Sequence, residues 1–125
     1  PEAVYRRPAN RFVASFVGDN NLFEVKSSAA GVATVEGGEE IQVAETVRPG
    51  DTLAVRPEAM HQGPDDTVLE PTVEGVEFQG TGYTIHCRLG PTELLVKTDS
   101  PPSEPFRVGF SKAAVQVLRA DEQTR

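Results

Sequence analysis

Two histidines (His61, His86), one cysteine (Cys87) and nineteen Asp and Glu residues are the groups from which this 125-residue chain could build a metal or acid–base site. Their spacing argues against one. His86 and Cys87 are adjacent in an alternating run, and neighbours on a strand point to opposite faces, so both cannot ligate one ion from the same side. Cys87 is expected to be buried and structural, His86 exposed. No Gly-x-Ser-x-Gly elbow selects a Ser-His-Asp set from the many combinations available. Carboxylates are numerous because the chain is acidic, and abundance is not a catalytic pair. The run Gly75-Val76-Glu77-Phe78-Gln79-Gly80 has the glycine spacing of a phosphate-binding loop, but Thr81-Gly82 stands where lysine and a hydroxyl residue are required. Without that lysine nothing meets the β- and γ-phosphates, and a hairpin turn is the expectation. The residues point away from catalysis.

The most organised stretch is Val47-Arg48-Pro49-Gly50-Asp51-Thr52-Leu53-Ala54-Val55-Arg56-Pro57-Glu58. Proline presets φ at the first central position of a tight turn, and glycine accepts positive φ at the second. Leu53 and Val55 alternate with Thr52, Ala54 and Arg56, which predicts a short strand with one apolar face. Pro57 stops it, having no N–H for the ladder. Arg56 and Glu58 flank the stop, either as a recognition pair or as a surface ion pair of about 0–1 kcal/mol. On physics alone they are structural.

The other segments that must surround this one are short strands. Leu22–Lys26 and Val32–Val35 are joined by residues 27–31; Gly37-Gly38 marks a hairpin before Ile41 and Val43. Residues 58–67 read as loop with one helical turn. Val68–Phe78 is interrupted by Pro71 and Gly75, so it is expected bent or at an edge. Tyr83, Ile85, Cys87 and Leu89 alternate with Thr84, His86 and Arg88, and Leu94–Lys97 pairs with them across Gly90-Pro91. Residues 99–105 form an exposed loop. Phe106, Val108 and Phe110 alternate again, and Val115–Leu118 closes the series. About nine strands at regular turn spacing predict an all-β fold, a small barrel or a sandwich, and the length also allows two small sub-barrels. Leu53, Val55, Ile85, Cys87, Val108 and Phe110 should share its core. Before all this, Phe12, Val13, Phe16 and Val17 recur at helical spacing between Pro8 and Gly18, predicting a short helix there within the segment 1–18, with 1–7 loose; 121–125 should fray.

Composition bounds the function. The length suits one domain with a real core. There is no apolar run of bilayer length and no signal segment; the chain opens at Pro1 without an initiator Met, and we read it as a piece of a longer protein. A formal net charge of −7 opposes nucleic-acid binding, which depends on neutralising phosphates, and two tyrosines with no tryptophan leave few stacking platforms. The lone cysteine excludes an internal disulfide and fits a reducing compartment.

The segment Tyr5-Arg6-Arg7-Pro8-Ala9-Asn10-Arg11-Phe12-Val13-Ala14-Ser15-Phe16-Val17-Gly18-Asp19-Asn20-Asn21 resembles the junction that follows the ATPase domain in ABC-importer ATP-binding subunits. Gly50-Asp51 with Val55-Arg56-Pro57-Glu58 looks like the Gly-Asp…Arg-Pro-Glu element of their regulatory domain, the transport-associated OB-fold, or TOBE, domain. Glu74–Gly80 with Tyr83–Leu89 looks like its later hairpin. The resemblance spans Tyr5 to Leu118 and implies an OB-fold-like small β-barrel over 19–120, with 1–18 as the tail of the junction.

It also implies a regulatory and dimerisation role in the ATP-binding subunit of an importer, most like the spermidine/putrescine or iron(III) type, with sugar and sulfate types as alternatives. Walker A, Walker B and the ABC signature are absent, so the resemblance assigns ATP and Mg to a domain that precedes residue 1 and leaves this chain without cofactor or catalytic residues. Implied partners are a second copy, the ATPase domain of the same polypeptide and, indirectly, membrane permease subunits at the cytoplasmic face of the membrane. The motif residues carried over as structural or interface candidates are Phe12, Gly18, Asn21, Gly50, Asp51, Arg56, Pro57, Glu58 and Gly80. An alternative within the resemblance is an oxyanion-sensing domain, which needs N–H groups and cations converging on one place. The twelve Lys and Arg residues scattered among nineteen acids form no such cluster.

Overall fold

A computed structural model describes residues 20–120. Ten strands follow one another: β1 Asn21–Ala29, β2 Val32–Val35, β3 Glu40–Gln42, β4 Thr52–Val55, β5 Thr67–Leu69, β6 Thr72–Gln79, β7 Gly82–Leu89, β8 Thr92–Thr98, β9 Val108–Phe110 and β10 Gln116–Leu118. Two short 3-10 turns, Pro57–Ala59 and Lys112–Ala114, are the only other regular elements among the described residues. The expected N-terminal helix, with Phe12 and Gly18, and the tail 121–125 lie outside them.

The strands form a five-stranded sheet in the order β10-β4-β1-β2-β3, a pair β5-β9 and a three-stranded sheet β6-β7-β8. All pairings are antiparallel. A single apolar core joins the three, with Phe23, Ile41, Leu53, Ile85, Val96 and Phe110 among its members. One core serves all three sheets, so two separately cored sub-barrels are not present among the described residues. The fold is all-β, as the alternation predicts, and OB-fold-like, as the resemblance implies.

The turn at Pro49-Gly50 forms as its residues require. The Asp51 N–H donates to the Arg48 carbonyl at 3.0 Å, and Gly50 sits at φ +96°, a conformation costly for a residue with a Cβ. Gly50 N–H donates to the Val25 carbonyl, and Val25 N–H to the Asp51 carbonyl, both at 2.9 Å, so the turn is stitched to β1. β4 then enters the large sheet next to its edge, paired on both sides, between β1 and β10.

Three local expectations need correction. Residues 27–29 belong to β1, because Ser27, Ser28 and Ala29 continue to pair with Thr34, Ala33 and Val32; the turn is only Ala30-Gly31, both at positive φ. The interrupted run 68–78 is two strands in different sheets, divided at Glu70-Pro71, and the second carries a bulge between Val73 and Gly75. Arg56 and Glu58 are both exposed, and no ion pair joins them among the described residues.

Candidate functional site

Seven of the nine motif residues lie among the described ones, and they divide into three places. The first is the start of β1. Asn21 is 3% exposed, and its side-chain amide donates to the Leu95 carbonyl at 2.9 Å and accepts from the Leu95 N–H at 2.7 Å. Nδ2 also lies 3.3 Å from the Met60 sulfur. One side chain thereby ties β1 to β8 of the other sheet.

The second place is the Gly50-Asp51 turn. The Asp51 carboxylate is 3% exposed, which demands donors, and it has them. It accepts from Arg48 N–H at 2.9 Å and Ala120 N–H at 2.8 Å, with the Arg119 guanidinium 3.5 Å away. Arg119 also donates to the Thr46 carbonyl and to Glu45 at 2.7 Å. The end of β10 is thus latched to the turn that precedes β4.

The third place is an open cleft of about 590 Å³ between the corner after β4 and the β6–β7 turn. Pro57 is buried and starts the 3-10 turn; this aims Glu58 into the cleft, beside Met60 and His61, while Arg56 is exposed at the corner. Gly80, at φ +70°, lets the β6–β7 hairpin reverse, and its neighbours Gln79 and Thr81 form the opposite wall. The lining of the cleft includes Lys97 together with the carboxylates of Glu58 and Asp99. That mixed charge makes no anion cradle, and no group of three metal-ligating side chains occurs among the described residues. His61 hydrogen-bonds Asp65 at 2.8 Å; this bond, reinforced by the Asp66 N–H, holds the Asp65 carboxyl below the usual carboxylate range.

Cys87 is buried among apolar neighbours, and burial, aided by the Glu74 charge, raises its thiol pKa to about 11. Its burial is as expected, and the raised pKa keeps the thiol protonated at neutral pH. Gly75–Gly80 forms β6 and its turn, not a phosphate loop. Three residues outside the sequence motifs also hold the structure together. Gln62 accepts from Ser103 N–H at 2.8 Å and donates to the Pro101 carbonyl at 2.9 Å, pinning the 99–105 loop. Arg119 and Gly109 are the others. Gly109 alone carried a signal, a glycine inside an alternating strand, which marks close backbone approach.

No helix among the described residues is long and apolar enough to cross a membrane. Residues 53–118 match the TOBE domain family. The chain is 38% identical, over 97 residues, to the spermidine/putrescine import ATP-binding protein PotA of Mesorhizobium japonicum, covering 71% of this chain and 27% of that protein. It is 34% identical to the sn-glycerol-3-phosphate import ATP-binding protein UgpC of Cereibacter sphaeroides (99% of this chain, 37% of that one). It is 37% identical to the Fe(3+) ions import ATP-binding protein FbpC of Streptomyces coelicolor (70% and 25%). The chain thus spans from a quarter to somewhat over a third of these relatives' length. Among solved structures, the cytoplasmic molybdate-binding protein ModG with molybdate bound superposes with a TM-score of 0.62, covering 82% of this chain and 96% of that one. At 12% identity that likeness concerns the fold alone. The family match covers more than half of the 125 residues and includes the β4 corner, the cleft walls and β10; the chain belongs to the TOBE domain family.

Proposed function

We propose that this chain is the C-terminal regulatory and dimerisation domain of the ATP-binding subunit of an ABC importer, of the spermidine/putrescine or iron(III) type. The observation that carries the reading is the TOBE match over 53–118 in a chain whose relatives are import ATP-binding proteins. In this reading the domain is not catalytic. ATP and Mg belong to an ATPase domain on the N-terminal side of Pro1, and the subunit works at the cytoplasmic face of a membrane, beneath its permease. Asn21, Gly50, Asp51, Pro57 and Gly80 then hold the barrel, while Arg56 and Glu58 are the polar side chains available for contact with other parts of the transporter. The oxyanion-sensing alternative gains no support from the cleft, whose lining holds one cation, Lys97, and two carboxylates, Glu58 and Asp99, besides His61.

Two measurements test the reading. The coding sequence upstream of Pro1 should carry a Walker A motif and an ABC signature; an unrelated upstream domain would refute it. Isothermal titration of Mg-ATP into the 125-residue chain should give no saturable heat, because the glycine run lacks the phosphate-binding lysine. Micromolar binding would overturn the assignment of nucleotide to another domain.

A further inference from the structure

β6 ends the three-stranded sheet, with β7 as its only strand neighbour there, and residues 72–79 contain no proline. Such an edge offers a row of free main-chain groups to another strand. Its apolar side chains also run up to that edge. Val76 is 45% and Phe78 63% exposed, two of the three exposed large hydrophobics among the described residues. Val76 is in register with Ile85, and Ile85 with Val96, so these residues share the face that elsewhere covers the core. Phe78 pairs with Tyr83, their ring centroids 5.1 Å apart. The bulge between Val73 and Gly75 leaves Val76–Gln79 regular.

We propose that two copies of this chain pair their β6 strands antiparallel about a two-fold axis at Val76. This deepens the dimerisation proposed above by naming its surface. In that register Val76 faces its own copy, and the two patches of Val76, Phe78 and Tyr83 become one across the axis. On the other face, Gly75 of each copy lies opposite Glu77 of the other. A Cβ at Gly75 would touch nothing within 4 Å, so the carboxylate can reach across it to His86, which pairs with Gly75 on β7. His86 already lies 3.6 Å from its own Glu77, so two imidazoles and two carboxylates would alternate across the axis. Glu74 is held by Arg88 at 3.2 Å, and no two carboxylates face each other directly. A net charge of −7 on each copy makes the contact weak at low salt and stronger as salt rises.

The test is a cysteine at the axis. Directly opposed residues in an antiparallel pair place their Cβ atoms within reach of a disulfide. Val76→Cys in the 125-residue chain, oxidised with copper phenanthroline, should give covalent dimer at least tenfold faster than the exposed control Lys112→Cys. Adding Phe78→Glu should return the rate to that of the control. Circular dichroism checks that each variant folds. Equal rates at the two positions overturn the proposal. A dimer by light scattering without cross-linking at Val76 removes this edge but leaves dimerisation standing, whereas monomers at every concentration, with no cross-link, remove both. Cross-linking that appears only after residues 1–19 are deleted means the chain's own N-terminal segment covers the edge, which also overturns it.

Discussion

The side-chain amide of Asn21 satisfies both main-chain groups of Leu95, donating to its carbonyl at 2.9 Å and accepting from its N–H at 2.7 Å. These residues are 74 positions apart, on the first and third described sheets. A main-chain N–H and C=O that would otherwise be left at the rim of β8 are paired by one buried side chain. Replacing Asn21 with alanine strands both groups and opens the Met60 side of the core. Leaving buried polar groups unsatisfied costs about 1–3 kcal/mol in all but the wettest sites. Urea unfolding of Asn21→Ala should show a loss in that range; a loss under about half a kcal/mol would mean that water replaces the amide.

Such a bond is invisible in a sequence, whereas the alternation around it is not. Period two places Leu53 with Val55, Ile85 with Cys87 and Val108 with Phe110 on one face of each strand, and all six are buried. Pro49-Gly50 announced its turn for the same local reason. Residues 27–29 did not announce their strand: Ser-Ser-Ala has little β preference, and the following Ala30-Gly31 turn places an alanine at φ +54°, where glycine or asparagine would be the usual signal. Pairing with β2 overrides both. The latch at Asp51 was half legible. Gly50-Asp51 stood out as a motif, but Arg119 gives no hint that its partners lie 68 to 74 positions earlier.

That latch makes a differential prediction. Asp51→Ala removes the acceptor for Arg48 N–H and Ala120 N–H together, in a site closed to water. Arg119→Ala removes a half-exposed guanidinium whose ion pair with Glu45 is at the surface. The first should cost about 1–3 kcal/mol and the second no more than about 1 kcal/mol. Amide exchange should quicken over residues 44–51 in Asp51→Ala. Equal losses in the two variants would show that the guanidinium, not the two N–H groups, holds the carboxylate.

Cys87 ties stability to alkaline pH. Its thiol titrates at about 11 in the folded chain against an ordinary 9.0, burial being the larger cause. Well below pH 9 the thiol is neutral in both states and contributes nothing to the pH slope. Between about 9 and 11 the unfolded chain ionises first, so stability falls as pH rises. The urea midpoint of the native sequence should therefore drop more across that window than that of Cys87→Val, which lacks the thiol. Iodoacetamide at pH 8 should leave the folded chain unmodified and alkylate it in urea. Rapid alkylation of the folded chain would show the site to be open.

Two glycines in strands should respond to alanine in opposite directions. Gly109 in β9 lies under the Gly63–Asp65 segment, which is drawn close by paired main-chain bonds between His61 and Gly109, at 3.0 and 2.7 Å. A Cβ at position 109 would overlap the Gly63 carbonyl oxygen and come within 3.2 Å of the Asp65 Cβ. The overlapping oxygen is backbone, so no side chain can swing aside to relieve it. Gly109→Ala must push the segment away and break the His61 bonds, at a cost of about 1–3 kcal/mol or more. Gly75 in β6 meets nothing within 4 Å of the same added atom, and its φ is not in the positive range. There alanine only reduces the entropy of the unfolded chain, a gain of roughly half to one kcal/mol. Urea melts of the two variants beside the native sequence decide the matter. A neutral Gly109→Ala would mean that the 63–65 segment lifts off β9 without loss, and that close approach is not what requires glycine there.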